Sequence, residues 1–143
     1  MITLINQLVT EIQELFSNRE DELNKVIVKQ KYKELPKGIY PKVIIEEIQN
    51  SEIESRSTTQ GERSTALGYQ INVYSRDMQE YDAIDSVREI LNIIDDFLQP
   101  PKYNIQRTGS PAIIPYISDS TIMTGAIRYT CVYDRDTNLI YRN

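Results

Sequence analysis

The chain lacks histidine and tryptophan altogether, and it contains a single cysteine, Cys131. Without histidine there is no imidazole to act as a general base, to activate a serine or cysteine nucleophile, or to bind a metal ion. A single cysteine cannot form an internal disulfide bond, which fits a reducing cytoplasm. Catalysis would therefore have to depend on carboxylates, lysine or tyrosine.

Glycine is also scarce, with five residues in 143, and the sequence has no P-loop, no Gly-x-Gly-x-x-Gly and no Cys-x-x-Cys. Little is therefore available to cradle a phosphate. Adjacent carboxylates occur at 46–47 and 95–96, but neighbouring side chains diverge on a strand or a helix. We interpret both pairs as solvated surface charges, and we expect no enzyme activity, cofactor or metal.

Long hydrophobic runs are absent too. No stretch of about 18 apolar residues could span a bilayer, and acids and amides interrupt the apolar pattern of residues 1–16, which argues against a signal peptide. The formal charge is -5, and an acidic chain is a poor general binder of nucleic acid because that affinity comes mostly from cations. With 143 residues, 40% of them hydrophobic, we expect a single domain over 1–143.

The hydrophobic periodicity predicts an α+β fold in the order α-β-β-α-β, with two amphipathic helices packed on one face of a mostly antiparallel or mixed sheet. Alternating side chains predict strands at 67–74 and 120–133. Short apolar runs predict a further strand at 40–48 and a short strand at 26–28. Apolar residues at three- and four-residue spacing predict a first helix with Thr3 as its N-cap. These residues are Ile2, Ile5, Leu8, Val9, Ile12, Leu15 and Phe16.

A second amphipathic helix is predicted to follow the strand at 67–74 almost directly, with Ser75 or Asp77 as its N-cap. Pro100 and Pro101 would end it. Its predicted buried side consists of Tyr81, Ile84, Val87, Leu91, Ile94 and Leu98. The apolar arc is wider than one sheet contact requires, so either a thick core or a neighbouring subunit could cover part of it.

Two polar segments stand apart from this pattern. Residues 50–66 hold one strongly apolar side chain, Ile53, and are predicted to form a flexible polar arm or an exposed hairpin tip. Residues 134–143 form a polar C-terminal tail. A lysine cluster between residues 25 and 42 is most simply the protection of an edge strand, although a contact with phosphate or an acidic partner would also use it.

The order of these elements resembles the tail terminator, or tail-completion, proteins of tailed bacteriophages, including relatives in prophages and phage-tail-like particles. The resemblance covers nearly the whole chain as a matter of pattern and order. It is carried by the N-terminal helix, the strand beginning Tyr-Pro-Lys-Val-Ile-Ile at 40–45, the polar gap, the strand Gly-Tyr-Gln-Ile-Asn-Val-Tyr-Ser at 68–75, the helix with Ala83, Ile84, Val87 and Leu91, and the late strand with Arg128 and Tyr129.

The resemblance implies a structural virion protein that closes into a ring, usually a hexamer. Such a ring caps the tail tube, stops its polymerisation and offers a head-tail joining surface. The implied partners are further copies of the chain, the tail tube protein, the head-tail connector and, in a contractile tail, the sheath protein. DNA would pass through the lumen without sequence-specific recognition, and no membrane is involved. The protein would be assembled in the host cytoplasm and reside at the head-tail interface of the virion.

Within that hypothesis, Glu52, Glu54, Arg56 and Arg63 of the polar arm are the predicted interface residues, in contact with the tube or with a neighbouring subunit. A second patch would lie on the second helix or at the sheet edge. Two alternatives remain open at this stage. One is a head-completion or connector-adaptor protein, and the other is a small ligand-binding domain of ferredoxin-like type with a pocket between sheet and helices.

Overall fold

The computed structural model describes residues 4–31, 40–52, 64–99, 105–109, 111–116, 119–134 and 139–141. Two α-helices, α1 (Leu4–Ser17) and α2 (Ala83–Phe97), and a short 3-10 helix, η1 (Glu22–Lys25), accompany the sheet. The strands are β1 (Ile27–Gln30), β2 (Lys42–Glu52), β3 (Ser64–Ser75), β4 (Gln106–Thr108), β5 (Ile113–Tyr116), β6 (Asp119–Asp134) and β7 (Leu139–Tyr141). The predicted α+β class is confirmed.

The strands form one mixed sheet. The main path runs β1-β2-β3-β6-β4, and β5 and β7 pair with β6 as well. The pairing of β1 with β2 is parallel and every other pairing in the sheet is antiparallel. The predicted order α-β-β-α-β omits β1, which corresponds to the short strand predicted at 26–28, and also β4, β5 and β7. Three or four residues are too few for a clear alternation.

The hydrophobic core lies on one face of the sheet, where alternate residues of the long strands point inward. Ile45 pairs with Ile71 across β2 and β3, and Ile71 pairs with Ile127 across β3 and β6. Side chains of both helices belong to the same buried cluster as these strand residues. A side chain at Gly125 would lie 2.9 Å from Val87 Cγ1 of α2, so the helix approaches the sheet closely at this position.

Cys131 occupies this core, as its place in the alternation predicts. The residue is 2% exposed, and burial raises the pKa of its thiol to about 12. A buried and protonated thiol is a weak nucleophile. Cys131 is therefore a packing residue.

The first helix is joined to the sheet edge by a glutamine. Gln13 Nε2 donates a hydrogen bond to the carbonyl oxygen of Val26 at 2.9 Å, and Gln13 Oε1 accepts one from the backbone N–H of Val28 at 2.8 Å. These bonds satisfy the Val26 carbonyl oxygen and the Val28 N–H, two backbone groups that point toward α1 and away from β2. The predicted N-cap Thr3 lies outside the described residues.

The predicted N-cap of the second helix is wrong. The N-cap is Asp82, whose side chain accepts a hydrogen bond from the N–H of Asp85 at 2.8 Å. Asp77 instead accepts from the N–H of Ala83 at 2.8 Å, and Ser75 is fully buried. The reason is a tertiary contact, since the carboxylate of Glu22 accepts hydrogen bonds from the backbone N–H groups of residues 79–81 and holds this connection out of the helix.

The predicted buried side of α2 is also wrong in one position. Ile84 is 42% exposed, whereas Ala83, Val87 and Ile90 are buried. The helix is therefore rotated so that the line through residues 83, 87, 90, 91 and 94 faces the sheet. Ile84 lies at the margin of that face.

The two polar segments begin and end inside the sheet. Glu52 pairs with Thr65 across β2 and β3, and Ser64 pairs with Asp134 across β3 and β6. Residues 50–52 and 64–66 of the predicted arm are thus paired strand residues, and 53–63 lie outside the described part of the chain. In the C-terminal segment, Leu139–Tyr141 pairs with the end of β6.

Candidate interaction site

The sheet face opposite the core carries a pocket of about 210 Å³ near the start of β2 and the end of β3. Lys42 pairs with Tyr74 in the register of these strands, and Ile44 pairs with Asn72. All four point away from the core because their neighbours Val43 and Val73 point into it. The lining residues are Lys31, Tyr40, Lys42, Ile44, Asn72, Tyr74 and Tyr116. We call this the open-face pocket.

Three tyrosine rings and two cations form the walls of the open-face pocket and its rim. The rings of Tyr74 and Tyr116 meet edge to face, with centroids 5.5 Å apart. Lys42 Nζ lies 4.7 Å from the ring centroid of Tyr40 and 5.6 Å from that of Tyr74. Arg76 Cζ lies 4.5 Å from the Tyr40 centroid. These distances are in the range of cation–π attraction, which orients the cations against the rings.

The charges at the open-face pocket are unevenly paired. Lys31 forms an ion pair with Glu46 at 3.2 Å. Lys42 and Arg76, by contrast, lie against tyrosine rings and form no ion pair with a carboxylate among the described residues. Burial raises the pKa of Tyr74, so its hydroxyl stays protonated at neutral pH. The arrangement can therefore accept an apolar group between the rings and a negative charge beside Lys42 and Arg76.

The sequence prediction of site residues points elsewhere. Glu52 lies at the end of β2, opposite Thr65, while Glu54, Arg56 and Arg63 lie outside the described residues. The open-face pocket was missed because Lys31 and Lys42 were interpreted as edge protection, although the sequence places Lys42 and Tyr74 at outward positions of their strands.

The adjacent carboxylates diverge, as predicted from their spacing. Glu46 lies on the open face with Lys31, and Glu47 pairs with the buried Tyr69 on the other face. Asp95 accepts a hydrogen bond from the hydroxyl of Tyr129 at 3.1 Å, and Asp96 is exposed. Among the described residues, no group of three or more aspartate, glutamate or cysteine side chains is placed to hold a metal ion.

A second distinctive surface lies on the first turn of α2. Ile84 is surrounded in sequence by exposed acids, Glu80, Asp82 and Asp85. Asp85 pairs with Arg88 at 3.4 Å, but both side chains are about 60% exposed, at 58% and 60%. Such a surface pair is weak and exchanges readily with solvent or another partner. We call this the acidic turn.

Comparison of the chain with protein-family models and with curated proteins finds no match. None of the helices in the described ranges is long and apolar enough to cross a membrane.

Proposed function

We propose that this chain is a structural subunit of a phage tail that closes into a hexameric ring at the end of the tail tube. The ring stops tube polymerisation and provides the surface to which the head connector docks. The resemblance in the order of elements motivates this proposal. Its action is assembly, with no bond made or broken.

The observation that carries the proposal is the extension of the sheet toward the polar segment. Leu67 and Cys131 face each other across β3 and β6, and both are buried. The pairing continues past them to Ser64 and Asp134, roughly 10 Å further at about 3.3 Å per residue. This projection is formed by the paired ends of β2, β3, β6 and β7. It is a base for the segment 53–63, which would then contact the tube or a neighbour.

Closed rings require heterologous contacts, in which two different patches of each subunit meet. The subunit has two unlike patches, the open-face pocket and the acidic turn. Exposed apolar residues occur in the second patch and in β2, since Ile84 and Ile48 are 42% and 43% exposed. Both features suit a subunit that is completed by its neighbours.

The proposal is tested by adding the purified chain to assembled tail tubes and following the mass by light scattering and the particles by negative-stain microscopy. A ring at one tube end, with tube growth halted, is the expected result. Binding at the portal end, with no effect on tubes, would instead favour the connector-adaptor function. Indifference to both, together with a melting temperature raised by a metabolite, would favour a ligand-binding domain.

The role of the arm is tested separately by the charge reversals Arg56→Glu and Arg63→Glu. Each changes the net charge by the same amount as Lys25→Glu, which reverses an exposed residue of η1 far from the arm along the chain and serves as the matched control. We expect the arm variants to reduce capping and head joining relative to the control. Unchanged tail length and joining would exclude the arm residues from the interface.

A further inference from the structure

We propose that the open-face pocket of one subunit binds the acidic turn of a second copy of this chain, with Ile84 entering between the tyrosine rings and Asp85 facing Lys42. This inference rests on the proposed function, because it identifies the contact between neighbouring subunits of the ring. It goes beyond that function by naming both halves of the contact.

The apolar half of the contact is a match of shape and chemistry. The open-face pocket is walled by Tyr40, Tyr74 and Tyr116 and has Ile44 at its floor, which is 6% exposed. Its volume of about 210 Å³ is enough for a branched aliphatic side chain. Ile84 is an exposed isoleucine at a helix surface, free of the core. Tyrosine is enriched at the centres of protein interfaces, where well-packed pockets exclude water.

The charged half of the contact is complementary in sign. Lys42 and Arg76 are cations without a carboxylate partner in the described part of the chain. The acidic turn offers Glu80 and Asp85. The carboxylate of Asp85 forms an exposed ion pair with Arg88. Opposite charges around an apolar anchor steer association and fix its register. A second copy therefore supplies both groups that the pocket can accept.

The positions of the two patches are compatible with a heterologous contact between copies. The pocket lies at the Lys42–Tyr74 rung of the sheet. The first turn of α2 lies at the next rung, since the hydroxyl oxygens of Ser75 and Ser86 are 2.7 Å apart. The pocket is on the open face and α2 is on the core face, so the patches lie at similar heights along the strands but on opposite sides of the sheet. They do not overlap, so one subunit can use both patches at once, and the rotation between neighbours then determines whether the assembly closes into a ring.

The test uses two charge reversals and their combination. Lys42→Glu removes the pocket cation, and Asp85→Lys reverses the acidic turn. Each single variant should weaken self-association at least about tenfold, because like charges then face each other. The double variant, in which the charges are exchanged, should recover most of the wild-type association. Lys25→Glu and Glu20→Lys, at exposed positions, are the matched controls, and circular dichroism checks that each variant is folded.

A mixture of the two single variants distinguishes this contact from any other. In the mixture, the acidic turn of the Lys42→Glu chain faces the unchanged pocket of the Asp85→Lys chain, and the reversed turn of the Asp85→Lys chain faces the reversed pocket of the Lys42→Glu chain. Both contacts then pair opposite charges, so the two variants can alternate around a ring. The measurement is sedimentation equilibrium of the chains alone, and negative-stain microscopy of rings at tube ends. Recovery of association in the mixture, with neither variant associating by itself, is the expected result.

The outcomes separate the contact from the proposed function. Rings at tube ends that both single variants leave unchanged would overturn the contact while the capping function stands. Self-association that depends on Lys42 and Asp85 without any effect on tubes would overturn the capping function while the contact stands. A chain that stays monomeric up to millimolar concentration and forms no ring on tubes would overturn both.

Discussion

The close approach of α2 to the sheet at Gly125 predicts that Gly125→Ala destabilises the fold. The added methyl group would lie 2.9 Å from Val87 Cγ1 and 3.0 Å from Leu91 Cδ1, both closer than ordinary van der Waals contact. Val87 is fully buried and β-branched, so its side chain has few rotamers into which to retreat. Either the helix moves away from the sheet or the side chain is strained.

The magnitude follows from two opposing effects. Overpacking of a core costs about 1–3 kcal/mol, while replacing glycine by alanine in a strand relieves about 0.5–1 kcal/mol of backbone entropy. We expect a net loss of about 1–2 kcal/mol in the free energy of unfolding. With an unfolding entropy of about 2.1 cal/mol/K per residue, a chain of 143 residues should melt about 3–7 °C lower.

The assay is urea unfolding followed by circular dichroism, at a protein concentration low enough to keep the chain dissociated. Val87→Ala is the partner variant in a double-mutant cycle. Val87→Ala alone removes two methyl groups. It should lower the free energy of unfolding by about 1.6 kcal/mol, at about 0.8 kcal/mol for each methyl group, with a further loss from the cavity left behind. In the double variant the methyl group at position 125 fills part of that space, so the combined loss should fall short of the sum by about 1 kcal/mol.

A Gly125→Ala variant as stable as the wild type, or a double variant whose loss equals the sum, would refute the close contact between α2 and β6. The acidic turn is carried by α2, so its position relative to the open-face pocket depends on this contact. The relative position of the two patches, on which the proposed contact between copies depends, would then be wrong.

Three further predictions concern single groups. Glu22→Gln should lower the free energy of unfolding by about 1–2 kcal/mol in urea titrations, because a charged acceptor for the N–H groups of residues 79–81 is lost. The hydrogen bond from Arg19 lowers the pKa of Asp21 in the folded chain. The ionised Asp21 therefore contributes its full stabilisation above the pKa that Asp21 has in the unfolded chain, and this stabilisation is lost as the pH falls through the lower pKa of the folded chain. Asp21→Asn should therefore flatten the acid limb of the stability profile, and an unchanged limb would contradict the ion pair. Burial raises the pKa of Cys131 to about 12, so a thiol reagent at pH 8 should label the native chain far more slowly than the urea-unfolded chain, whereas equal rates would exclude a packed thiol.

Hydrophobic periodicity identified the elements that are long enough to display it. The alternation at 67–74 and 120–133 corresponds to β3 and β6, and the packed position of Cys131 is confirmed. The apolar stripe of α1 is confirmed at Ile5, Leu8, Ile12 and Phe16. These predictions succeed because burial of one face is a local property of a strand or helix.

The errors occur where a distant group decides the local structure. Asp77 is a suitable N-cap by residue type, but the carboxylate of Glu22, more than 50 residues earlier in the chain, holds the connection extended and moves the cap to Asp82. In α2, likewise, Val87 and Leu91 pack against the sheet at Gly125, whereas Ile84 is left exposed. The pattern of apolar and polar residues within one segment cannot indicate contacts with distant residues.

Composition and periodicity alone determined the α+β class, the two amphipathic helices and the inward side of the long strands, because these depend on the order of apolar and polar residues along the chain. The tertiary structure alone decided that Tyr40, Tyr74 and Tyr116 meet around Lys42, and that the acidic turn lies at the same height on the other side of the sheet. Strand register and helix docking bring together residues that are far apart in sequence, and these depend on the packing of the whole core.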